Sequence, residues 1–193
     1  MKRSIFTTIF AIAMVLSASA QEHKWFIGGQ VGFWSTKQSY DIIYLLYPDI
    51  LYPNSMKTTQ IVVAPEIGYN ISDKFAIAAS LGYISIKTKY YYYTTHQKGF
   101  IFSPYARYTF LKTGILSAFI DGGATFGLSD YKGFQGGISP GIAVALTNRF
   151  SLVANFGFLG YNDGKGVIGS ENGKGFRLDL SGYQSQFGFY YSF

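Results

Sequence analysis

Hydrophobic residues alternate with polar or small residues, with a period of two, along most of the chain after residue 20. Such alternation indicates β-strands with two chemically different faces. On one face of segment 150–161, for example, lie Leu152, Ala154, Phe156 and Phe158, and on the other lie Val153, Asn155 and Gly157. The pattern predicts an all-β fold with eight strands, at 24–34, 58–70, 75–87, 98–110, 115–127, 136–146, 150–161 and 176–193.

The connections between these strands alternate in length. Segments 71–74, 111–114 and 147–149 read as tight turns, whereas segments 35–57, 88–97, 128–135 and 162–175 are longer. Short connections at one end and long ones at the other are typical of an up-and-down antiparallel barrel in a membrane. An even number of strands then places both chain ends on the side of the tight turns.

The composition favours a membrane as the surroundings of this barrel. Charged residues make up only 13% of the chain, against roughly 25% in a typical soluble domain. The apolar strand faces contain no charge in their central spans, and the opposite faces are mostly Gly, Ala, Ser and Gln. Aromatic residues lie near strand ends, as interfacial girdles do, at Tyr69, Phe75, Tyr83, Tyr108, Phe110 and Phe150. The alternative is a soluble β-barrel or β-sandwich with a buried aromatic core.

The first twenty residues have the pattern of an export signal. Lys2 and Arg3 precede an apolar run at 5–16, and Ala18-Ser19-Ala20 forms an A-x-A cleavage site. The run is too short for a spanning helix, so we expect a signal peptide at 1–20 and one domain at 21–193. The chain has no Cys, which excludes disulfides and thiol chemistry, and its scattered basic residues do not indicate nucleic-acid binding.

The last eleven residues read Y-Q-S-Q-F-G-F-Y-Y-S-F and alternate aromatic with small or polar positions. With the features above, they resemble the small eight-stranded outer-membrane barrels of the OmpA/OmpX type and the porin-family outer membrane protein beta-barrel domain proteins of Bacteroidota-like bacteria. The resemblance implies a monomer in a bacterial outer membrane, with both termini in the periplasm. Its implied partners are outer-membrane lipids, lipopolysaccharide and the barrel assembly machinery. It also implies an assembly signal formed by Tyr183, Phe187, Phe189, Tyr191 and Phe193.

Three charged residues fall on the inward faces of the predicted strands, namely Glu66, Arg107 and Asp121. They lie at similar heights above the tight turns, so carboxylates and guanidinium are expected to neutralise one another inside a narrow lumen. An eight-stranded barrel is just wide enough for its own side chains. We therefore interpret the cluster as a structural plug, with a polar path for small solutes or a catalytic group as alternatives.

The first and second long loops are unusually rich in tyrosine. Segment 40–53 reads Y-D-I-I-Y-L-L-Y-P-D-I-L-Y-P, and Tyr90 to Tyr93 are consecutive. Exposed tyrosines favour recognition of a partner because their rings bury area at low entropic cost. The recognition candidates are Tyr44, Tyr47, Tyr52, Tyr91 and Tyr92, and these segments can equally extend the strands, lie on the lipid surface or pack in the aromatic girdle.

Catalytic chemistry has little support in this sequence. The two histidines, His23 near the predicted mature start and His96 in the second long loop, lack evident Ser and carboxylate partners, and no cofactor or metal site is expected. The sequence therefore predicts a non-enzymatic barrel with a structural or surface-interaction role. A small porin is the alternative, and a lipid A-modifying enzyme is a further one.

Overall fold

The structure, a computed structural model, describes residues 24–41, 53–90, 93–128, 133–163, 174–180 and 185–193. The predicted signal peptide, the recognition candidates Tyr44, Tyr47, Tyr52, Tyr91 and Tyr92, and Tyr183 of the predicted assembly signal lie outside these ranges. Within them, no helix has the length and apolarity needed to cross a membrane.

The described residues form one closed antiparallel β-barrel. Ten strand segments occupy eight positions, because β7 and β8 share the seventh position and β9 and β10 share the eighth. The barrel closes where β5 pairs with β6 and where β10 pairs with β1 from Phe26 to Val31. The predicted eight-stranded all-β barrel is thus confirmed. The segments are β1 Trp25–Asp41, β2 Pro53–Asn70, β3 Phe75–Lys89, β4 Thr94–Thr113, β5 Leu116–Leu128, β6 Phe134–Ala145, β7 Phe150–Asn155, β8 Phe158–Asn162, β9 Gly175–Asp179 and β10 Gln186–Ser192.

Tight turns connect the strands at one end of the barrel, at 71–74, 114–115 and 146–149. Ser72 Oγ accepts a hydrogen bond from the Phe75 amide at 3.1 Å, and Thr147 Oγ1 accepts one from the Phe150 amide at 3.0 Å. The same end holds the first and last described segments, because the Phe193 amide donates to the Trp25 carbonyl at 2.9 Å. We call this the turn end of the barrel.

The first four strands extend farther from the turn end than the sequence predicted. Segments 35–41, 53–57, 88–89 and 94–97 were expected in loops, but they are paired strand. The prediction failed there because both faces of these segments are polar, so apolar alternation is absent. Hydroxyl pairs instead join neighbouring strands, as between Ser35 and Thr59 and between Thr58 and Thr88, both at 3.3 Å.

A β-bulge reverses the faces of the seventh barrel strand. Asn155 pairs with Gly141, but Leu159 pairs with Ile138, so one extra residue lies on the seventh strand between these pairs. Gly157 absorbs the bulge with a φ of 77°, which disfavours residues with a Cβ. The prediction that Phe158 shares a face with Leu152 is therefore wrong, because Phe158 points into the lumen and is buried.

The core of the barrel lies inside the lumen in two apolar layers. The layer nearer the turn end consists of Phe26, Ala76, Phe119, Val153 and Tyr190, and the farther one consists of Val62, Ala64, Ile84 and Ile101. Glycines on neighbouring strands provide the space for the largest rings. A Cβ at Gly141 would lie 2.3 Å from the Phe119 ring, and one at Gly68 would lie 2.1 Å from the Phe26 ring. Polar side chains fill the region between the two layers.

Candidate functional site

Glu66, Arg107 and Asp121 all point into the lumen and are buried, with exposed fractions of 6%, 8% and 8%. They come from β2, β4 and β5. Their neighbours one residue away, such as Ile67, Tyr108 and Ile120, are exposed on the outside of the barrel. Because successive side chains of a strand point to opposite faces, the three charged residues lie on the inward face. Period-two alternation therefore brings the three groups into one hydrogen-bonded network, described below.

Arg107 and Asp121 form the central ion pair of this network. They are direct partners across β4 and β5, so their side chains leave the sheet side by side. Arg107 Nε donates to Asp121 Oδ1 at 2.7 Å, and Arg107 Nη2 donates to Asp121 Oδ2 at 2.8 Å. This fork-shaped contact fixes both the orientation and the charge balance of the guanidinium.

The guanidinium of Arg107 also contacts three aromatic rings. Its Cζ lies 3.7 Å from the centroid of the Phe119 ring, close enough for a strong cation–π contact in a desolvated site. Arg107 Nη2 donates further hydrogen bonds to the hydroxyls of Tyr190 at 3.3 Å and Tyr105 at 3.5 Å. The buried cation is thus surrounded by a carboxylate, hydroxyls and π-faces.

Glu66 lies in a second arm of the network, which the tyrosines join to Arg107. The Tyr105 hydroxyl donates to Glu66 Oε1, and Gln30 Nε2 donates to Glu66 Oε2 at 3.3 Å. Gln30 Nε2 also donates to the Tyr190 hydroxyl at 2.9 Å. On the other side, Asn155 Nδ2 donates to Asp121 Oδ2 at 2.7 Å.

Together these side chains form a layer that we call the lumen network. Its members are Gln30, Glu66, Tyr105, Arg107, Asp121, Asn155 and Tyr190. They come from β1, β2, β4, β5, β7 and β10. The remaining barrel positions, β3 and β6, contribute small inward residues at this height, such as Ser80 and Ser139. The network therefore spans the lumen from wall to wall.

A cavity of about 140 Å³ adjoins the lumen network. Gln30, Glu66 and Asp121 of the network line it, together with Ser80, Ser103 and Gln135. Val62, Ile101 and Phe158 supply apolar wall. The cavity has room for about ten water-sized molecules, and its wall is partly polar and partly apolar.

Four hydrogen-bonding members of the network were not among the predicted site residues, namely Gln30, Tyr105, Asn155 and Tyr190. The sequence signal that could have identified them is their place in the period-two alternation, because each lies on the same small or polar strand face as the three charged residues. Tyr190 was the least evident, since it stands in an aromatic run whose other members face outward. Its hydroxyl, and not its ring alone, connects β10 to the network.

A second, half-buried ion pair lies nearer the other end of the lumen. Arg177 Nη2 contacts Asp179 Oδ2 at 2.5 Å, and the Asp179 side chain is 3% exposed. Because the two residues are separated by one position on β9, their side chains share the inward face. Sequence inspection did not single out this pair, since both residues lie in a segment with many glycines and charges.

The other predicted residues do not join the network. Phe187, Phe189 and Tyr191 are exposed on the outside of β10, and Phe193 packs edge-on against Tyr191 with ring centroids 5.5 Å apart. Their role in assembly stays a prediction. His96, expected in a loop, lies on β4 opposite Lys87. No group of three or more His, Cys, Asp or Glu residues suitable for a metal ion occurs among the described residues.

Comparison with models of known protein families and with curated proteins found no match.

Proposed function

We propose that the protein is an integral, monomeric outer-membrane β-barrel with a structural or surface-interaction role and no enzymatic activity. In this proposal the turn end faces the periplasm and the extended ends of β1–β4 face the exterior. Outer-membrane lipids and lipopolysaccharide surround the barrel, and the barrel assembly machinery inserts it.

The observation that supports this proposal most strongly is the outside of the barrel. On the described strands, the outward positions between the two ends hold only aliphatic and aromatic side chains, glycine and proline. Large examples are strongly exposed, including Leu81 at 55%, Phe102 at 39% and Leu152 at 45%. A soluble barrel would expose a continuous hydrophobic surface of this kind to water, which is rare in soluble monomers.

Aromatic pairs bound this apolar surface at both ends. Trp25 packs on Tyr69 and Phe75 packs on Tyr108 at the turn end, with ring centroids 5.0 and 4.8 Å apart. Tyr83 and Phe100 pair at 5.5 Å toward the other end. On β3 the apolar face thus runs from position 75 to 83, close to the roughly 9–11 residues with which a tilted strand crosses a bilayer.

The lumen network supports a structural role over transport. Six of its seven side chains are buried, all seven are hydrogen-bonded, and they come from six of the eight barrel positions. Passage of a solute would require these contacts to separate. The second candidate function, a small porin, is favoured by one observation, namely the partly polar cavity of about 140 Å³ next to the network.

Electrical recording in planar bilayers separates the two functions. We expect the purified, refolded wild-type barrel to show no stable single-channel conductance, because the lumen network closes the path. An Arg149→Ala variant, altered only in the turn at 146–149, is the matched control and should be equally silent. A stable wild-type conductance that is changed in Arg107→Ala but not in Arg149→Ala would contradict the closed barrel and favour the porin.

A further inference from the structure

The extended ends of β1–β4 form a wall that rises above the apolar surface on one side of the barrel. β1 and β2 continue past Phe33 and Ile61, and β3 and β4 continue past Tyr83 and Phe100. On the opposite side, β5 ends at Leu128 and β6 begins at Phe134. The wall therefore presents an outward face that the other described strands lack.

Lysines are concentrated on this outward face. Lys37 pairs directly with Lys57, and Lys57 pairs directly with Lys89, so the three form one row across β1, β2 and β3. Residues that pair directly, or that are two positions apart on one strand, share a face of the sheet. Lys87 and Lys98 therefore join the same face, one and two steps nearer the barrel. We call this set the lysine face: Lys37, Lys57, Lys87, Lys89 and Lys98.

Such a row is unfavourable for the isolated protein. Like charges directly opposite one another destabilise a sheet, because their Cβ atoms are about 5 Å apart. On a surface whose charges serve only solubility, positively and negatively charged residues are interspersed. The acidic residues of the wall strands are Glu66, which points into the lumen, and Asp41, which lies four positions beyond Lys37 at the end of β1, so one acidic position accompanies five lysines. The arrangement suits an anion supplied from outside.

The position of the lysine face identifies the source of that anion. Lys98 is two residues above Phe100 on β4, and Lys57 is four residues above Ile61 on β2, all on one outward face. At about 3.3 Å per residue, the lysine backbone positions lie about 7 to 20 Å beyond the apolar surface along the tilted strands, from Lys98 to Lys89, which is six residues beyond Tyr83. That is the headgroup region of the leaflet whose acyl chains would contact Phe33, Ile61 and Phe100.

We propose that the lysine face binds the phosphate groups of phosphorylated lipids in the outer leaflet. This inference rests on the proposed membrane location. Lysine ammonium groups bind phosphate as point charges, and the row across β1–β3 would contact a headgroup with more than one phosphate at several positions. The lipid is favoured over a soluble acidic partner because the lysine face continues the lipid-facing side of the barrel without interruption. Bound lipid phosphate also offsets the repulsion within the row.

Titration with a defined lipid tests this proposal. The purified barrel, folded in uncharged octyl glucoside micelles, is titrated with diphosphorylated lipid A and binding is measured by calorimetry. The test variant is Lys37→Gln with Lys57→Gln and Lys89→Gln. Its matched control, Lys74→Gln with Lys112→Gln and Lys174→Gln, removes three exposed lysines elsewhere. We expect about a hundredfold weaker binding in the test variant, and about twofold or less in the control.

Four further measurements determine what each result means. Heat-modifiable migration in gel electrophoresis reports whether each variant folds. If the triple variant does not fold, the single variant Lys57→Gln replaces it, with an expected loss of lipid affinity of about fivefold. Lipid A without phosphates should bind the wild type as weakly as the test variant binds the phosphorylated form. Equal losses in the test and control variants, or equally tight wild-type binding of soluble polyphosphate, would overturn the lipid site. Retention in carbonate-washed membranes reports membrane insertion separately, so that loss of retention counts against the proposed function and not against the lysine face.

Discussion

Replacing Asp121 by Ala is expected to lower the free energy of unfolding of the barrel by about 3–5 kcal/mol. The change removes the fork-shaped partner of Arg107 and leaves a cation buried at 8% exposure. It also removes the acceptor of the Asn155 Nδ2 hydrogen bond. Phe119 and the tyrosine hydroxyls still contact the guanidinium, and Glu66, which is joined to it only through these hydroxyls, is the remaining carboxylate of the network.

Urea-induced unfolding in lipid vesicles, followed by tryptophan fluorescence, measures this loss. Asp73→Ala is the matched control, because Asp73 is an exposed carboxylate in the turn at 71–74, and a change within about 0.5 kcal/mol is expected there. The double variant Arg107→Met with Asp121→Leu should recover part of the stability, since apolar residues of similar volume can replace a buried ion pair, while Glu66 is left in a network without a cation. If Asp121→Ala is as mild as Asp73→Ala, the lumen network does not stabilise the barrel as described.

Replacing Ala79 by Arg is expected to destabilise the barrel by about 2–4 kcal/mol in a bilayer. Ala79 lies at the centre of the outward apolar face of β3, midway between Phe75 and Tyr83. An arginine there would place its guanidinium among acyl chains. On the water-exposed outside of a soluble barrel the same substitution would cost about 0.5 kcal/mol or less.

The same unfolding experiment measures this effect, with two controls. Ala79→Leu adds bulk without charge and is expected to be neutral or stabilising. Ile71→Arg adds the same charge in the exposed turn at 71–74 and should cost little. Equal losses for Ala79→Leu and Ala79→Arg would indicate crowding against the neighbouring strands, and no loss for Ala79→Arg would indicate that this face contacts water.

The number of barrel strands and most of their inner and outer faces could be predicted from the sequence, because period-two alternation indicates a β-strand with one apolar and one small or polar face. Residues 61–69 of β2, for example, face alternately out and in, as their polarity predicts. The ends of β1–β4 that lie farthest from the turn end could not be predicted in this way. Their partners are set by strand pairing, and residues such as Ser35 and Thr36 are polar on both faces, so the pattern there resembled a loop.

The lumen side chains show a second limit of the sequence. Alternation along each strand places Glu66, Arg107 and Asp121 inside the barrel, but it does not give the register between strands that are distant in the chain. That Tyr190 Oη lies 3.3 Å from Arg107 Nη2 depends on β10 closing against β1 and β7. Phe158 illustrates the effect of one residue, because the bulge at Gly157 reversed a face that alternation alone had assigned to the outside.

The lysine face follows from the same register. In the sequence, Lys37, Lys57 and Lys89 are far apart and have no common motif. Only the pairing of β1, β2 and β3 aligns them in one row. Scattered basic residues in a barrel sequence can therefore form a compact cationic surface, and the spacing along the chain does not reveal it.

A nitroxide scan along the outward positions of β2 tests membrane insertion most directly. The chain contains no Cys, so single cysteines at Lys57, Val63, Ile67 and Ile71 can be labelled without background. In lipid vesicles, we predict that collisions with oxygen exceed collisions with a water-soluble nickel chelate at Val63 and Ile67, and that the order reverses at Lys57 and Ile71. Equal and high accessibility to the nickel chelate at all four positions would contradict a barrel that spans the membrane.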